Sequence, residues 1–280
     1  SVENKEHFLK ERMLFDVTLF SDGSNIQRKP KGHLYLYPLI AIAAMLAIVF
    51  VMDLPHMHKP KQQLSQTIRI PAGQRAQMDL PDGSVVWLNS QTTLTYDENF
   101  GKKDRKVTLD GEAYFEVAHN KEIPFYVQTE NIKVQVTGTK FDVCSYKGSN
   151  SFIARLIEGS INLLTNNAKE EKPITSLTKG KYFSMENGKY KTGEMSSNNA
   201  LAWMQGIYYF DDVPFKELLD KIALYYNYKI TVKNPKILEN YRCTGKFKDL
   251  DGIEHILKVI QKDHPFKYNI DNEHNKITIE

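Results

Sequence analysis

The feature that most constrains this chain is the segment 34–52, nineteen residues without a charged side chain. As an α-helix it would be about 28 Å long, close to the roughly 30 Å hydrocarbon core of a bilayer. Tyr35 and Tyr37 lie near one end, where aromatic side chains anchor a span at the membrane interface. Signal-peptide cores are shorter and lie nearer the N-terminus. We predict a transmembrane helix over 34–52; a buried helix of a globular core is the alternative.

The segments on either side of this run differ in their hydrophobic pattern. Residues 1–23 have apolar side chains at helical spacing with Glu and Lys between them, which predicts an amphipathic helix. Its apolar face includes Phe8, Leu9, Met13 and Leu14. So short a helix cannot bury that face alone, so we expect it to belong to a longer helical domain, with a membrane-surface helix as the alternative. Residues 53–65 contain two prolines and no periodicity, which indicates a tether.

Residues 66–195 are rich in short β-prone runs separated by turn residues. Pro81–Ser84 has the sequence PDGS between two apolar runs, and Asp110-Gly111, Lys147-Gly148 and Glu158-Gly159 are similar turn signals. Short strands at intervals of about 8–12 residues are typical of a sandwich or barrel. We therefore predict an all-β domain, sandwich or barrel-like, over 66–195.

Residues 206–280 alternate between helical and strand patterns. Apolar side chains recur at helical spacing over 214–227 and again over 251–262, and short β-prone runs flank both segments. We place Asp212 as the cap of the first helix. The order of elements predicts a small α+β domain with a split β-α-β arrangement.

Composition excludes several function classes. The 37 basic and 34 acidic residues are scattered along the chain, so we expect no direct contact with nucleic acid. The motifs of nucleophilic hydrolases, zinc proteases, P-loop proteins and dinucleotide-binding proteins do not occur, so we expect neither a conventional enzyme nor a cofactor or metal site. Asp110 and Glu112 flank a turn glycine, and we interpret them as part of a solvated hairpin.

Four ordered blocks resemble the FecR family of anti-sigma regulators. They are LPDGSVVWLNSQTTLTY at Leu80–Tyr96, LDGEAYFEVAHNKEIPFYVQT at Leu109–Thr129, VQVTGTKFDVCSY at Val134–Tyr146 and LIEGSINLL at Leu156–Leu164. The segment 206–280 resembles the C-terminal partner domain of that family. In pattern, it is similar to the small signalling domain at the start of secretins and of some TonB-dependent transporters.

The resemblance implies a function and an orientation. Members of the family cross the inner membrane once, hold an extracytoplasmic-function sigma factor in the cytoplasm, and receive a signal from an outer-membrane TonB-dependent transporter in the periplasm. Residues 1–33 would then be the remnant of the cytoplasmic sigma-binding helical domain and a connector, with Phe8, Leu9, Met13 and Leu14 as sigma-binding side chains. The partners expected are the sigma factor, the N-terminal signalling domain of the transporter and membrane lipid.

Two groups of residues are the candidate functional sites outside the membrane. Tyr208, Tyr209 and Phe210 form an aromatic strand whose edge is suited to binding the transporter domain, and Tyr226 lies on the following helix. The alternative is that half of these side chains belong to the core. The second group is Gly138-Thr139, where the resemblance implies self-cleavage by attack of the Thr hydroxyl on the preceding carbonyl. The alternative there is a bulge or tight turn.

A protein of another class also fits part of the pattern. Sandwich folds with exposed aromatic side chains bind sugars, so a membrane-tethered periplasmic glycan-binding module is the second hypothesis. The chain has two tryptophans, Trp87 and Trp203, and Trp87 lies in an apolar strand where we expect a core position. An exposed tryptophan would favour the glycan-binding hypothesis.

Overall fold

The structure is a computed structural model that describes residues 41–45, 47–48, 64–166, 171–195 and 198–280. The chain divides into two compact units, Ser1–Gln62 and Gln63–Glu280. In the first unit residues 41–45 and 47–48 are helical and exposed. Among the described residues there is no helix both long enough and apolar enough to cross a membrane. Most of the predicted span 34–52, the tether and the side chains Phe8, Leu9, Met13 and Leu14 lie outside the described residues.

The first part of the second unit is all β, as the turn pattern predicts. Its thirteen strands form one curled sheet that resembles a half-barrel. The strands are β1 Ser65–Arg69, β2 Ala76–Asp79, β3 Val85–Leu88, β4 Thr93–Asp97, β5 Arg105–Glu116, β6 Phe125–Gln128, β7 Ile132–Val136, β8 Lys140–Ser145, β9 Ser151–Glu158, β10 Ser160–Thr165, β11 Pro173–Thr178, β12 Lys181–Glu186 and β13 Lys189–Glu194. We refer to this part as the β domain.

The long strand β5 joins the two halves of this sheet. Its first half pairs with β4 and β6, and its second half, from Gly111 onward, pairs with β3 and β8. Gly111 has φ +135, and a Cβ there would lie 2.4 Å from Thr92 Oγ1, so only glycine lets the strand pass Thr92. The predicted turn at Asp110-Gly111 is therefore wrong, because this glycine serves a close approach inside one continuous strand.

The inner faces of the two halves enclose one apolar core. Strand alternation points residues such as Val86, Phe115 and Leu156 inward, where none has more than traces of exposed surface. Phe115 stacks on Phe141 with ring centroids 5.1 Å apart. The strand β13 has the polar sequence KYKTGE, which is why the apolar pattern did not predict it.

Residues 206–280 form the predicted α+β domain, which we call the C-terminal domain. Its elements are β14 Ile207–Pro214, α1 Phe215–Tyr226, β15 Lys229–Val232, β16 Arg242–Lys248, α2 Gly252–Asp263, β17 Tyr268–Asp271 and β18 Lys276–Ile279. The strands β14 and β16 pair antiparallel, while β15, β18 and β17 form a second sheet in which β15 and β18 are parallel. A 3-10 helix, Asn198–Gln205, leads into β14.

Helical periodicity explains which faces of the two helices are buried. The α1 residues Phe215, Leu218, Leu219, Ile222 and Tyr225 are buried, as are Ile253, Ile256, Leu257 and Ile260 of α2. The expected cap at Asp212 is wrong, since Pro214 is the N-cap residue and makes no side-chain cap. Asp212 instead lies in a bulge of β14 with φ +47, and its carboxylate pairs with Arg242 at 2.7 Å.

Candidate functional site

The most distinctive site is the contact between the β domain and the C-terminal domain, which we call the joint. The outward-facing side chains Trp87, Tyr114 and Ile157 of the β domain pack into the apolar cluster of the C-terminal domain. From the other side, Trp203, Tyr208 and Tyr225 belong to the same cluster, and each has less than 10% of its surface exposed. The outer face of this half of the sheet is therefore a second buried layer.

Within the joint, two carboxylates share one guanidinium. Asp142 and Arg155 are opposite each other on β8 and β9, and Arg155 Nη1 donates to Asp142 Oδ2 at 2.5 Å. The same Nη1 lies 3.7 Å from Glu112 Oε1, and Asn89 Nδ2 donates to Glu112 Oε2 at 2.6 Å. Asp142 has no exposed surface and Glu112 has 4%. Two acids and one base thus leave a surplus negative charge in a buried site.

Burial sets the protonation of this cluster. It raises the pKa of Glu112 from 4.5 to about 7, and repulsion by Asp142 adds to the rise, while Arg155 and the hydrogen bond from Asn89 oppose it. Burial also raises the pKa of Asp142, against the stabilising pull of Arg155. The indole of Trp203 also lowers the Asp142 pKa, although neither Trp203 Nε1 nor Asp142 Oδ1 forms a hydrogen bond within the described part of the chain.

A second set of contacts in the joint satisfies the carboxyl end of α1. The last carbonyls of a helix have no partner inside the helix. Tyr225 O accepts hydrogen bonds from Gly73 N and from Ser90 Oγ, both at 3.0 Å. Leu224 O accepts from Gln91 Nε2. Two loops of the β domain therefore cap a helix of the C-terminal domain.

An ion pair forms the third contact. Arg75 Nη2 and Asp249 Oδ2 are 2.7 Å apart, with 23% and 10% of the two side chains exposed. Tyr226 Oη donates to Asp249 O at 3.0 Å, and Asp249 N donates to Gly206 O at 2.8 Å. Arg75 Nη1 is buried without a hydrogen-bond partner among the described residues. Through Asp249, this contact links the loop between β1 and β2 to Gly206, the residue before β14.

The joint also contains unfilled space. A cavity of about 430 Å³ lies between the outer face of the sheet and β14, with Glu112, Arg155, Trp203 and Lys221 among its lining residues. A second cavity of about 230 Å³ is lined by Arg75, Trp87 and Trp203 among others. Both spaces are partly open to solvent, so the joint is not closed off on every side.

The four aromatic residues predicted to bind a partner have different environments. Tyr208 and Phe210 are buried, with 3% and 2% exposed, and Tyr208 stacks on Tyr225 at 4.2 Å between ring centroids. Tyr209 points to the other side of β14, is half-buried, and has Lys246 Nζ 5.4 Å from its ring centroid. Tyr226 is half-buried and bonded to Asp249. The role of these residues in partner binding stays a prediction, and only Tyr209 of the three strand residues reaches the surface.

Gly138 and Thr139 lie together in the turn before β8. Gly138 has φ +156, and a Cβ there would be 2.4 Å from His119 Nδ1, so only glycine fits against this histidine. Thr139 is buried, and its Oγ1 donates to Ser160 O at 3.0 Å. Self-cleavage stays a prediction; the geometry adds that an imidazole lies against this peptide.

Sequence reasoning missed the charge cluster of the joint. Glu112, interpreted as part of a solvated hairpin, is buried and hydrogen-bonded to Asn89. The sequence signal is the run Ala113–Phe115 next to Glu112, because consecutive apolar residues indicate a strand that is buried on both faces. Neither tryptophan is an exposed sugar platform: Trp203 is buried and Trp87 is half-buried against Tyr114, with ring centroids 5.4 Å apart.

Comparison with known families defines the class of this protein. Residues 66–162 match the family model described as FecR protein, and residues 207–279 match the model described as FecR, C-terminal. Together the two matches cover more than half of the 280 residues, and one lies in each of the two domains. The chain therefore belongs to the FecR family of anti-sigma regulators, in agreement with the resemblance found in the sequence.

Solved structures support the same assignment. Two crystal structures of a candidate anti-sigma factor from Parabacteroides distasonis, at 2.50 and 1.65 Å resolution, match with a TM-score of 0.66 each. Their sequences are 25% and 24% identical to this chain, and each match covers 77% of this chain and 98% of the other. No protein with a curated description matches the chain.

Proposed function

We propose that this protein is a single-pass inner-membrane regulator that holds an extracytoplasmic-function sigma factor and receives its signal from a TonB-dependent transporter. The supporting observation is the order of parts within a FecR-family chain. An amphipathic N-terminal segment precedes the uncharged run 34–52, and the compact unit Gln63–Glu280 follows it. In this arrangement residues 1–33 are cytoplasmic and the β and C-terminal domains are periplasmic.

The strand β14 is the proposed docking site for the signalling domain of the transporter. It pairs with β16 on one side, and no other strand in the described part of the chain pairs with it. A free edge can accept a strand from a partner, with backbone hydrogen bonds supplying affinity and side chains supplying specificity. Tyr209 is half-buried next to Lys246, so a partner can add contacts to this ring.

We also propose self-cleavage at Gly138-Thr139 as a maturation step. Thr139 Oγ attacks the Gly138 carbonyl carbon, the C–N bond breaks, and the released amine of Thr139 takes up the proton; water then hydrolyses the ester. His119 lies against Gly138 and is the candidate base. On a denaturing gel we expect two fragments from the natural chain and from Thr139→Ser, and one intact band from Thr139→Ala. Identical bands from all three would refute cleavage.

Binding experiments test the main proposal. We expect residues 64–280, immobilised, to retain the purified N-terminal signalling domain of a TonB-dependent transporter, and the full chain to retain a sigma factor at its N-terminal end. Retention of glycans in place of the transporter domain would support the glycan-binding hypothesis. Recovery of the native full-length protein from the aqueous fraction, rather than from the inner membrane, would overturn the proposed topology.

A further inference from the structure

The three polar contacts of the joint share one property: each is formed by groups that water can also satisfy. Water could replace the partners of the capped carbonyls Tyr225 O and Leu224 O, of the pair Arg75–Asp249 and of the cluster around Arg155 if the domains separated. Because water replaces these partners, the polar contacts add little to the free energy of closing, and the apolar contacts of Trp87 and Tyr114 provide the rest.

The joint also carries an internal cost. Closing the C-terminal domain over Glu112 and Asp142 removes two carboxylates from water with only Arg155 as a close counter-charge. The groups that face Glu112 from the other elements are Asn89, Cys144, Tyr146, Lys221 and Tyr225. Of these only Lys221 is a cation, and it pairs with Glu217 at 2.8 Å. Closing therefore has a free-energy cost, because it buries charges that water would solvate in the open arrangement.

The strand β14 connects directly to these contacts. Gly206, immediately before the strand, packs against the Arg75 guanidinium, since a Cβ there would be 3.1 Å from Nη2. Gly206 O accepts a hydrogen bond from Asp249 N, and Tyr208 stacks on Tyr225, whose carbonyl the β domain caps. A displacement of β14 would therefore strain both the ion pair and the helix cap.

We propose that the joint is a reversible latch: the C-terminal domain closes over the outer face of the β domain and is released from it when a partner pulls on β14. The inference rests on the proposed function only for the identity of the partner. The latch itself is a property of the chain. Release exposes Glu112, Asp142 and Arg155 to solvent. The outer face of the β domain can then form other contacts.

The two tryptophans provide the measurement, because both Trp87 and Trp203 lie in the joint and the chain has no others. In the full-length chain, Arg75→Asp places a negative charge against Asp249 and should open the latch. We expect a red-shifted tryptophan emission and roughly twofold stronger quenching by acrylamide, with an unchanged far-ultraviolet circular dichroism spectrum. The double variant Arg75→Asp/Asp249→Arg restores the ion pair with reversed polarity and should restore the natural emission.

The matched control is Arg69→Asp, the same charge reversal on the exposed strand β1 outside the joint. It should leave the emission and the quenching unchanged. Unchanged quenching in Arg75→Asp would overturn the latch, as would loss of the circular dichroism signal together with the shift, because the domains would then unfold as one unit rather than separate.

A second arm separates the latch from the proposed function. Addition of a transporter signalling domain to the natural chain should increase acrylamide quenching in parallel with binding, which is followed by a fluorophore on the added domain. Binding without increased quenching would refute release by a partner while leaving the proposed function intact. Absence of binding would refute the proposed partner, and the Arg75→Asp experiment would still decide whether the latch exists.

Discussion

Two arginines of the β domain, one buried and one half-buried, have contrasting environments. Arg105 has 2% of its side chain exposed, and its guanidinium donates to the carbonyls of Ile123, Ala118 and Asn120 at 2.7–3.0 Å and to Asp82 at 3.2 Å. Arg155 also lies among carboxylates, but it has to serve both Asp142 and Glu112. The first site balances one cation with one anion; the second does not.

The contrast shows that the Arg105 site is structural, whereas the charge of the Arg155 site can change with pH. Around Arg105 every contact lies inside the β domain, and Asp82 also accepts hydrogen bonds from Ser84 N and Ser84 Oγ, which fixes the β2–β3 turn. Around Arg155 the C-terminal domain covers the site, and the pKa of Glu112 is raised to about 7. A buried site with surplus charge and a titratable group is suited to a joint that moves.

Arg105→Met should have the largest effect on stability. It leaves Asp82 buried without its counter-charge and three carbonyls without a donor, and breaking such a pair costs about 3–5 kcal/mol. Chemical denaturation of the full chain measures the loss. Lys106→Met, one position along the same strand and exposed, is the control and should change the free energy of unfolding by less than about 0.5 kcal/mol. Equal effects of the two changes would refute the structural role.

Arg155→Met should cost less, and its cost should depend on pH. It leaves Asp142 and Glu112 facing each other, at a penalty of about 2–3 kcal/mol at pH 8 that falls at pH 5 as the carboxylates take up protons. Unfolding curves at the two pH values measure the difference. A penalty that is the same at both would show that the carboxylates do not share the charge of Arg155.

Glu112→Gln should remove a pH dependence that the natural chain has. The pKa of Glu112 is raised from 4.5 to about 7 in the folded state, so its contribution is fully present below about 4.5 and is lost as the pH rises through 7. We expect the natural chain to lose about 2 kcal/mol between pH 5 and pH 8, and the variant to lose much less. Glu116→Gln, two positions further along β5, should retain the natural slope.

Much of the β domain could be predicted because each strand has its own local signal. The alternation of apolar and polar residues along β9 predicts which of its side chains point inward. The sequence PDGS at Pro81–Ser84 predicts a turn from local residues alone. The prediction at Gly111 was wrong because glycine occurs both in turns and where two segments approach closely. Only the position of Thr92 in the structure shows that Gly111 serves a close approach.

The joint could not be predicted because it depends on residues far apart in the sequence. Asn89, Glu112, Asp142 and Arg155 come from four segments, and each alone has the polar character of an ordinary surface residue. What makes them a site is the second layer that covers them. The sequence feature that indicates this covering layer is the presence of apolar side chains, such as Trp87 and Tyr114, at outward-facing positions of the strands.

Tyr209→Asp should have the smallest effect on stability and tests whether β14 is the docking edge. Because this ring is half-buried and faces away from Tyr208 and Phe210, we expect a change of less than about 1 kcal/mol in the free energy of unfolding. Binding of the transporter signalling domain should weaken by about tenfold or more, since an aromatic anchor becomes a charge. Tyr190→Asp, an exposed tyrosine on the edge strand β13, is the matched control and should bind normally. If both variants bind as the natural chain does, the partner contacts a surface other than β14; if both bind weakly, the loss reflects added negative charge rather than a docking site.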